Sequence, residues 1–478
     1  MTGRARILMS YLLLVAAPVV GVFFVLGAGA GLRAGGSAAA AASGGGAAPS
    51  SALSLSLLLL QVIIIILGAR LMGALLRKLR QPQVVGEMLA GILLGRSVLG
   101  LFAPGAYAVM FPAGSLHYLN ALSQIGVLLF MFLIGLELDP KLLRGRGHTA
   151  VLTSHASIAA PMFLGVSLAL VLYPRLADGS VGFTPFALFL GAAMAVTAFP
   201  VLARILFERG MQQTRLGSLA IACAAVDDVT AWCILAVVVA ITRAAASPTP
   251  LWVTLGGAAA FVAVMLGVVR PVLGAAYARV VRQGRSPFQD LLAAVLIVTL
   301  AAAWTTERLG VHALFGAFLA GVAMPKDPAF VKGLVGRFED LMITLLLPLF
   351  FAYTGLRMAV DPVSGGGLWL LCALVIGTAI AGKLGGAALA SRMTGLSWRD
   401  SWTLGALMNT RGLMELIILN VGLDLGVISP TLFSMMVLMA VTTTVMSTPI
   451  VEWLNPAIRA HANVGRPLAD PQEPAPAS

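Results

Sequence analysis

From Leu219 to Ala240 the chain reads LAIACAAVDDVTAWCILAVVVA, an apolar run interrupted by two adjacent carboxylates, Asp227 and Asp228. A carboxylate at the centre of a bilayer costs at least ~2.5 kcal/mol on insertion scales, so acids at that depth face a cavity, a partner or a transported ion. Two in succession point to an ion or proton site.

The surrounding chain has 478 residues, of which 59% are hydrophobic and 10% charged, against roughly 25% charged in soluble domains. Apolar segments of about 20 residues, enough to cross ~30 Å of hydrocarbon, recur along it. They cover 54–76, 82–99, 117–136, 150–173, 184–206, 216–243, 251–270, 289–306, 310–324, 339–357, 366–391, 401–421 and 430–450, thirteen in all, preceded by an apolar stretch from Ile7 to Ala30. The expected fold is an all-α polytopic membrane protein of about 13–14 transmembrane helices; a barrel would alternate polar and apolar residues instead. The expected organisation is an extra N-terminal helix at 1–30 (a signal peptide is the alternative), a Gly/Ala/Ser linker at 31–53, the transmembrane domain at 54–453, and a disordered cytoplasmic tail at 454–478.

Charge placement tests the count. Loops after even-numbered spans, with the N-terminal span as the first, hold seventeen Lys and Arg, and the other loops hold five. Such alternation places the basic loops in the cytoplasm of a cell-membrane protein and reads the net charge of +12 as orientation, with no nucleic-acid partner. Of the basic residues left inside spans, Arg70, Arg96 and Arg204 lie near span ends and can snorkel to the headgroups. Lys383 and Arg411 lie deeper, at about the depth of Asp228. Cys223, Cys233 and Cys372 show no paired spacing, so neither a disulfide framework nor a metal site is indicated, and no GxGxxG stretch suggests a cofactor.

Burial raises a carboxylate's proton affinity and a neighbouring ammonium lowers it, so an acid held between the two can trade a proton for a metal cation near neutral pH. Neighbouring residues on a helix point ~100° apart, which suggests that one aspartate pairs with Lys383 while the other faces the ion path. Two spans carry interruptions: Thr197, Ala198, Phe199 and Pro200 in one, Asn409, Thr410, Arg411 and Gly412 in the other. Unwound backbone at membrane depth survives only where it is buried or lines a cavity, and paired interruptions are a mark of inverted-repeat transporters. Glu137 and Asp139 are candidates for a cation entrance funnel, and Glu87 for a similar role. Glu415 follows Arg411 at the i,i+4 spacing of a helix ion pair, with ion-path involvement as the alternative. Thr230 reads as packing, and His155 is the one histidine inside a span. An intramembrane aspartyl protease would need carboxylates facing each other from different helices and a GxGD motif, which is absent, so no enzyme is expected. A proton-coupled exporter of an organic cation is the alternative to alkali-cation exchange.

The stretches VVGEMLAGILLGRSVLG from Val84, LLFMFLIGLELD from Leu128, TAFPVLARIL from Thr197, AAVDDVTAW from Ala224, LLPLFFAYTGLR from Leu346, AGKLGGAALASRM from Ala381 and ALMNTRGLMELIILNVG from Ala406 together resemble the monovalent cation:proton antiporter-2 family. That resemblance implies a thirteen-span inverted-repeat core, a dimerisation domain, and a mobile core domain whose two broken helices cross near the ion site. It implies exchange of Na+ or K+ for protons by a homodimer in the lipid bilayer. Asp228 would hold the family's near-invariant acidic position, as the cation and proton carrier acting with Asp227, which holds the neighbouring variable position; Lys383 would hold the matching basic one, with Thr197 beside them at the first break. Asp227 together with Lys383 is similar to members that move net charge, whereas the NTRGLMELI segment is similar to plant exchangers that handle potassium.

Overall fold

Within hydrocarbon no water is available to backbone amides, so apolar spans close their hydrogen bonds internally as helices, and the described residues contain helices and no strands. The computed structural model describes residues 9–34, 55–79, 81, 83–96, 98–137, 147–177, 181–209, 211, 214–246, 251–283, 287–358 and 366–455. Besides two short helices, Leu99–Phe102, which extends the span begun by α3, and Pro104–Met110, fourteen longer helical segments run in order through them: α1 (Met9–Gly29), α2 (Leu55–Lys78), α3 (Gln83–Leu94), α4 (Ala113–Glu137), α5 (Gly147–Leu176), α6 in two halves (Phe183–Ala195 and Phe199–Glu208), and α7 (Arg215–Ala246). There follow α8 (Trp252–Arg282), α9 (Pro287–Arg308), α10 (Ala313–Ala323), α11 (Pro328–Leu341 continuing to Leu347–Arg357), α12 (Gly367–Met393), α13 in two halves (Trp398–Met408 and Leu413–Asp424), and α14 (Pro430–Leu454). Among the described residues nine helices are long and apolar enough to cross a membrane by length and composition. The remaining segments are the two broken ones, the aspartate-bearing α7, the short α10, and α11.

Two bundles form. The first packs α5, α6, α7, α12, α13 and α14 together, with α1 laid against α5 and α6; the second joins α2, α3, α4 and α8 to α11. Where they meet, Met88, Val127, Met131 and Phe351 of the second bundle share one apolar cluster with Trp232 and Ile417 of the first. The ends are tied by charge. Arg243, ending α7, pairs with Glu307 of α9 at 2.8 Å, and Arg357, ending α11, pairs with Asp424 of α13 at 2.7 Å.

Several expectations shift. The spans read as 251–270 and 339–357 are parts of longer helices, since α8 continues to Arg282 and α11 begins at Pro328. Arg270, Arg279, Arg282, Lys332 and Arg337 therefore ride on helical overhangs, where basic side chains reach water without unwinding the backbone. In α6 only Val196, Thr197 and Ala198 are unwound, and Phe199 and Pro200 already belong to the second half. A proline fits the first turn of a helix, where its missing N–H would have had no partner. The break in α13 covers the four expected residues, Asn409 to Gly412. Residues 1–8, most of the linker (35–54) and the tail from 456 onward lie outside the described residues.

Small residues set the closest helix approach, as expected where lipid provides no hydrophobic force between helices. A β-carbon at Gly135 of α4 would sit 2.0 Å from the Phe318 carbonyl oxygen of α10, and one at Gly321 of α10 would sit 2.0 Å from that of Phe132. Gly321→Val should therefore destabilise the protein by about 1–3 kcal/mol, the usual cost of overpacking, seen as a lower unfolding temperature in detergent. Gly256→Val, where a β-carbon meets nothing within 4 Å, should leave that temperature unchanged.

Candidate functional site

The two breaks meet. The backbone N–H of Ala198 donates to the Thr410 carbonyl at 3.1 Å, and the Thr197 hydroxyl lies 3.2 Å from the Met408 carbonyl oxygen. The first half of α6 runs antiparallel to the second half of α13: the Phe189 ring presses on Gly422, where a β-carbon would come within 2.1 Å, while the carbonyls of Ala193 and Met194 meet Arg411.

Ending a helix in mid-membrane leaves carbonyls without partners and a partial negative charge at the stump. Two buried cations occupy it. Arg411 donates from Nη1 to the Ala193 carbonyl at 3.0 Å and from Nη2 to that of Met194 at 2.6 Å, and Lys383 Nζ donates to that of Ala195 at 2.5 Å. Each cation has a carboxylate of its own: Glu415 one turn along for Arg411, at 2.5 Å, and Asp227 of α7 for Lys383, at 2.8 Å. All four side chains are fully buried. Lys383 projects from a π-helical turn, Ala381–Gly385, in α12; such one-residue insertions are frequent at functional sites. The other break is held by α14, whose Thr444 hydroxyl accepts from the Arg411 N–H at 2.9 Å and lies 2.6 Å from the Arg411 carbonyl oxygen, to which it can donate.

Asp227 is the centre of the arrangement. Its Oδ1 accepts from Ser154 at 2.5 Å, and its Oδ2 is reached by Ser157 at 2.7 Å, Thr197 at 2.9 Å and Lys383 at 2.8 Å. Lys383 also donates to the Ser157 carbonyl at 2.9 Å. A carboxylate ringed by hydroxyl and carbonyl oxygens is a hard ligand set, suited to cations that prefer oxygen, and here an ammonium occupies it.

The structure thus gathers Thr197, Asp227, Lys383, Arg411 and Glu415 around the crossing of Ala198, Asn409, Thr410 and Gly412. Asp228 follows Asp227 on α7, and its side chain, like that of Pro200 and all of Asp139, lies outside the described residues. Glu137 ends α4, exposed. Glu87 is buried, accepting from Gln83 at 3.0 Å. The Thr230 hydroxyl donates back to the Val226 carbonyl of its own helix at 2.8 Å, and the His155 ring lies 6.3 Å from that of Tyr11 on α1. Ser154, Ser157 and Thr444 were not singled out in the sequence. The signal for the serines was the polar run Thr153-Ser154-His155-Ala156-Ser157 inside an apolar span.

A family model described as "Sodium/hydrogen exchanger, transmembrane" matches residues 62–454, which include both breaks, both aspartates and Lys383. The chain is 44% identical over 398 residues to the Na(+)/H(+) antiporter NhaS4 of Synechocystis sp., a match covering 81% of this chain and 95% of that protein. It is 44% identical over 383 residues to Cation/H(+) antiporter 17 of Arabidopsis thaliana and 32% identical over 387 residues to K(+)/H(+) antiporter 1 of Saccharomyces cerevisiae. The matches cover 80% and 79% of this chain but 46% and 44% of those proteins, so the chain spans about half the length of these plant and yeast relatives. Among solved structures, the sodium proton antiporter MjNhaP1 from Methanocaldococcus jannaschii superposes with a TM-score of 0.61 over 85% of this chain and 99% of that one, at 15% identity, a likeness of fold. A multi-pass helical chain with two crossed breaks, matched by that model over most of its length and by NhaS4 over nearly the whole of NhaS4, belongs to the sodium/hydrogen exchanger family.

Proposed function

We propose that the protein exchanges a monovalent cation, Na+ or K+, for protons by alternating access, with Asp227 as the group that the ligands share. One observation carries this reading: a fully buried carboxylate, ringed by three hydroxyls, has its Oδ2 held by the ammonium of Lys383. A carboxylate oxygen engaged by an ammonium or a proton cannot at the same time coordinate a metal ion, so the occupants compete, and competition couples opposite flows. Asp228, next on the same helix, is the second carboxylate of this reading. Hydroxyl and carboxylate oxygens within 2.5–2.9 Å of one another favour a small dehydrated ion over a bulky organic cation.

The translocating motion is a displacement of the first bundle, which carries both breaks, against the second across their apolar interface. The ties Arg243–Glu307 and Arg357–Asp424 open and re-form in that cycle. The working form is a homodimer in the cell membrane, with the basic loops in the cytoplasm and Glu137 and Asp139 at the entrance.

In vesicles loaded with a pH dye, a proton gradient followed by Na+ or K+ should produce an alkali-cation-dependent pH change, and Asp227→Asn should abolish it. Retained exchange in that variant removes Asp227 from the mechanism. The buried pair yields a separate stability test, because stranding one member of such a pair costs about 3–5 kcal/mol whereas replacing both by apolar groups is often neutral. Asp227→Leu alone should unfold at a markedly lower temperature than the wild type, and the double variant Asp227→Leu/Lys383→Met should recover part of that stability, the Ala195 and Ser157 carbonyls being left without the ammonium, while remaining inactive in transport.

The ties make a further expectation. Reversing one charge, Glu307→Arg, should slow exchange several-fold or shift its dependence on cation concentration, and the swap Arg243→Glu/Glu307→Arg should restore it. If the single and swapped variants both transport like the wild type, these pairs have no part in the cycle.

A further inference from the structure

At the crossing one side chain has no partner at all. Asn409 is fully buried, and neither its Oδ1 nor its Nδ2 makes a hydrogen bond. An amide buried in this way gives up its hydration with nothing in return, which is unfavourable. The neighbouring polar groups are served: the Thr410 hydroxyl donates to the Leu407 carbonyl at 2.8 Å, Thr197 reaches Asp227, and Arg411 and Glu415 hold each other even though Arg411 Nε and Glu415 Oε1 stay unbonded. Among the described residues of the two breaks, Asn409 alone has every side-chain polar atom unbonded.

Its place in the chain is equally specific. The carbonyl before it, of Met408, is reached by the Thr197 hydroxyl, and the carbonyl after it, of Thr410, accepts from the Ala198 N–H. Asn409 is therefore pinned on both sides to the unwound segment of α6, one residue from the carbonyl that shares Thr197 with Asp227. A carboxamide offers an acceptor oxygen and two donor hydrogens without net charge. At a cation site this is the group that adds a ligand while leaving the charge count unchanged.

We infer that Asn409 is a cation ligand contributed by the second broken helix, its Oδ1 joining the oxygens of Asp227 and Thr197 when the ion replaces Lys383, and that it sets the preference between alkali cations. The inference rests on the exchange activity proposed above. Selectivity of an oxygen site depends on the number and field strength of its ligands. Removing a neutral oxygen leaves a site dominated by carboxylate charge, which favours the smaller ion, so Asn409 shifts the balance toward K+.

The test measures exchange in vesicles as a function of Na+ and of K+ concentration for the wild type, Asn409→Ala and Asn409→Asp. Losing a contact to a charged group worth about 1.4 kcal/mol raises an apparent KM about tenfold. Asn409→Ala should show a rise of that order for K+ and a smaller one for Na+, with the maximal rate largely kept. Asn409→Asp, nearly isosteric, should favour Na+ and make cation uptake more sensitive to acid. A binding readout that needs no transport accompanies these: K+-dependent rise of the unfolding temperature in detergent, displaced to higher K+ in Asn409→Ala and unchanged in position in Thr448→Ala, a buried hydroxyl elsewhere on α14. Unchanged KM values for both ions in an active Asn409→Ala, or a loss confined to the maximal rate, overturn the inference. A wild type that exchanges neither ion overturns the function reading instead.

Discussion

The structure depends on neutralising one helix end. Stopping the first half of α6 at Ala195 exposes three carbonyls, those of Ala193, Met194 and Ala195, where hydrocarbon provides no water to solvate them, and Arg411 and Lys383 take all three. Those cations would be far more costly than the carbonyls if left alone, so each brings a carboxylate. The requirement spreads from there: α12 supplies Lys383, α13 supplies Arg411 and Glu415, α7 supplies Asp227, and α5 supplies the serines that hold Asp227 in place. Five helices must meet at a single depth because one helix stops there. Buried ion pairs give little net stability compared with apolar packing of the same volume, so such a knot is maintained for what it does.

The two pairs are chemically unequal. Arginine does not lose its proton in proteins, and Arg411 binds a glutamate on its own helix, one turn away, so the pair travels with the break as a fixed unit. Lys383 and Asp227 sit on different helices and are joined by groups that can each change partner. The Thr197 hydroxyl has two acceptors within reach, Asp227 Oδ2 and the Met408 carbonyl, and that of Ser157 has Asp227 Oδ2 and the Ser154 carbonyl. Single hydroxyl protons with alternative acceptors can turn away from a carboxylate that takes up a cation and return when a proton or the ammonium replaces it. On the proposed function, exchange chemistry belongs to the Lys383–Asp227 pair, and Arg411 anchors the scaffold around it.

Much of this was legible in the sequence because the hydrocarbon environment makes errors expensive. Each helical span showed as an apolar run, and the buried ions stood out as the charges too far from any span end to snorkel. The i,i+4 spacing of Arg411 and Glu415 and the break at Asn409–Gly412 could be read directly. What escaped notice was governed by contacts distant in sequence. Serine and threonine inside membrane helices usually bond back to their own helix, as Ser167 does to the Phe163 carbonyl and Thr242 to that of Val238. Nothing local separates them from Ser154, Ser157 and Thr444, which also reach partners on other helices. Proline misled in the opposite way: Pro200 suggested a break around itself, whereas it opens the helix that follows the break. The ends of α8 and α11 were read short because hydropathy marks where hydrocarbon stops, and a helix can continue past that point.

The joint between the bundles follows the same economy of strong and weak interactions. Inside the first bundle the crossing is held by buried ions and hydrogen bonds, each costly to disrupt, set within apolar packing. Between bundles the shared surface is mostly apolar, contributed by Met88, Val127, Met131 and Phe351 on one side and Trp232 and Ile417 on the other, with one buried amide–hydroxyl bond crossing it, from Asn420 of α13 to Thr354 of α11 at 2.9 Å. Apolar contact is non-directional and proportional to area, so one register can be exchanged for another at small cost while the area is kept. The charged ties lie at helix ends and are partly exposed, at 27% and 45% for Arg243 and Glu307 and 18% and 39% for Arg357 and Asp424, a setting in which an ion pair contributes only about 0–1 kcal/mol. His312 sits within electrostatic reach of Arg243, Glu307 and Asp424, which puts both ties at the same end of the molecule. A structure rigid at the crossing, mostly apolar where the bundles meet and weakly fastened at one end suits the proposed displacement, which would carry the site as a body between two sides without dismantling it.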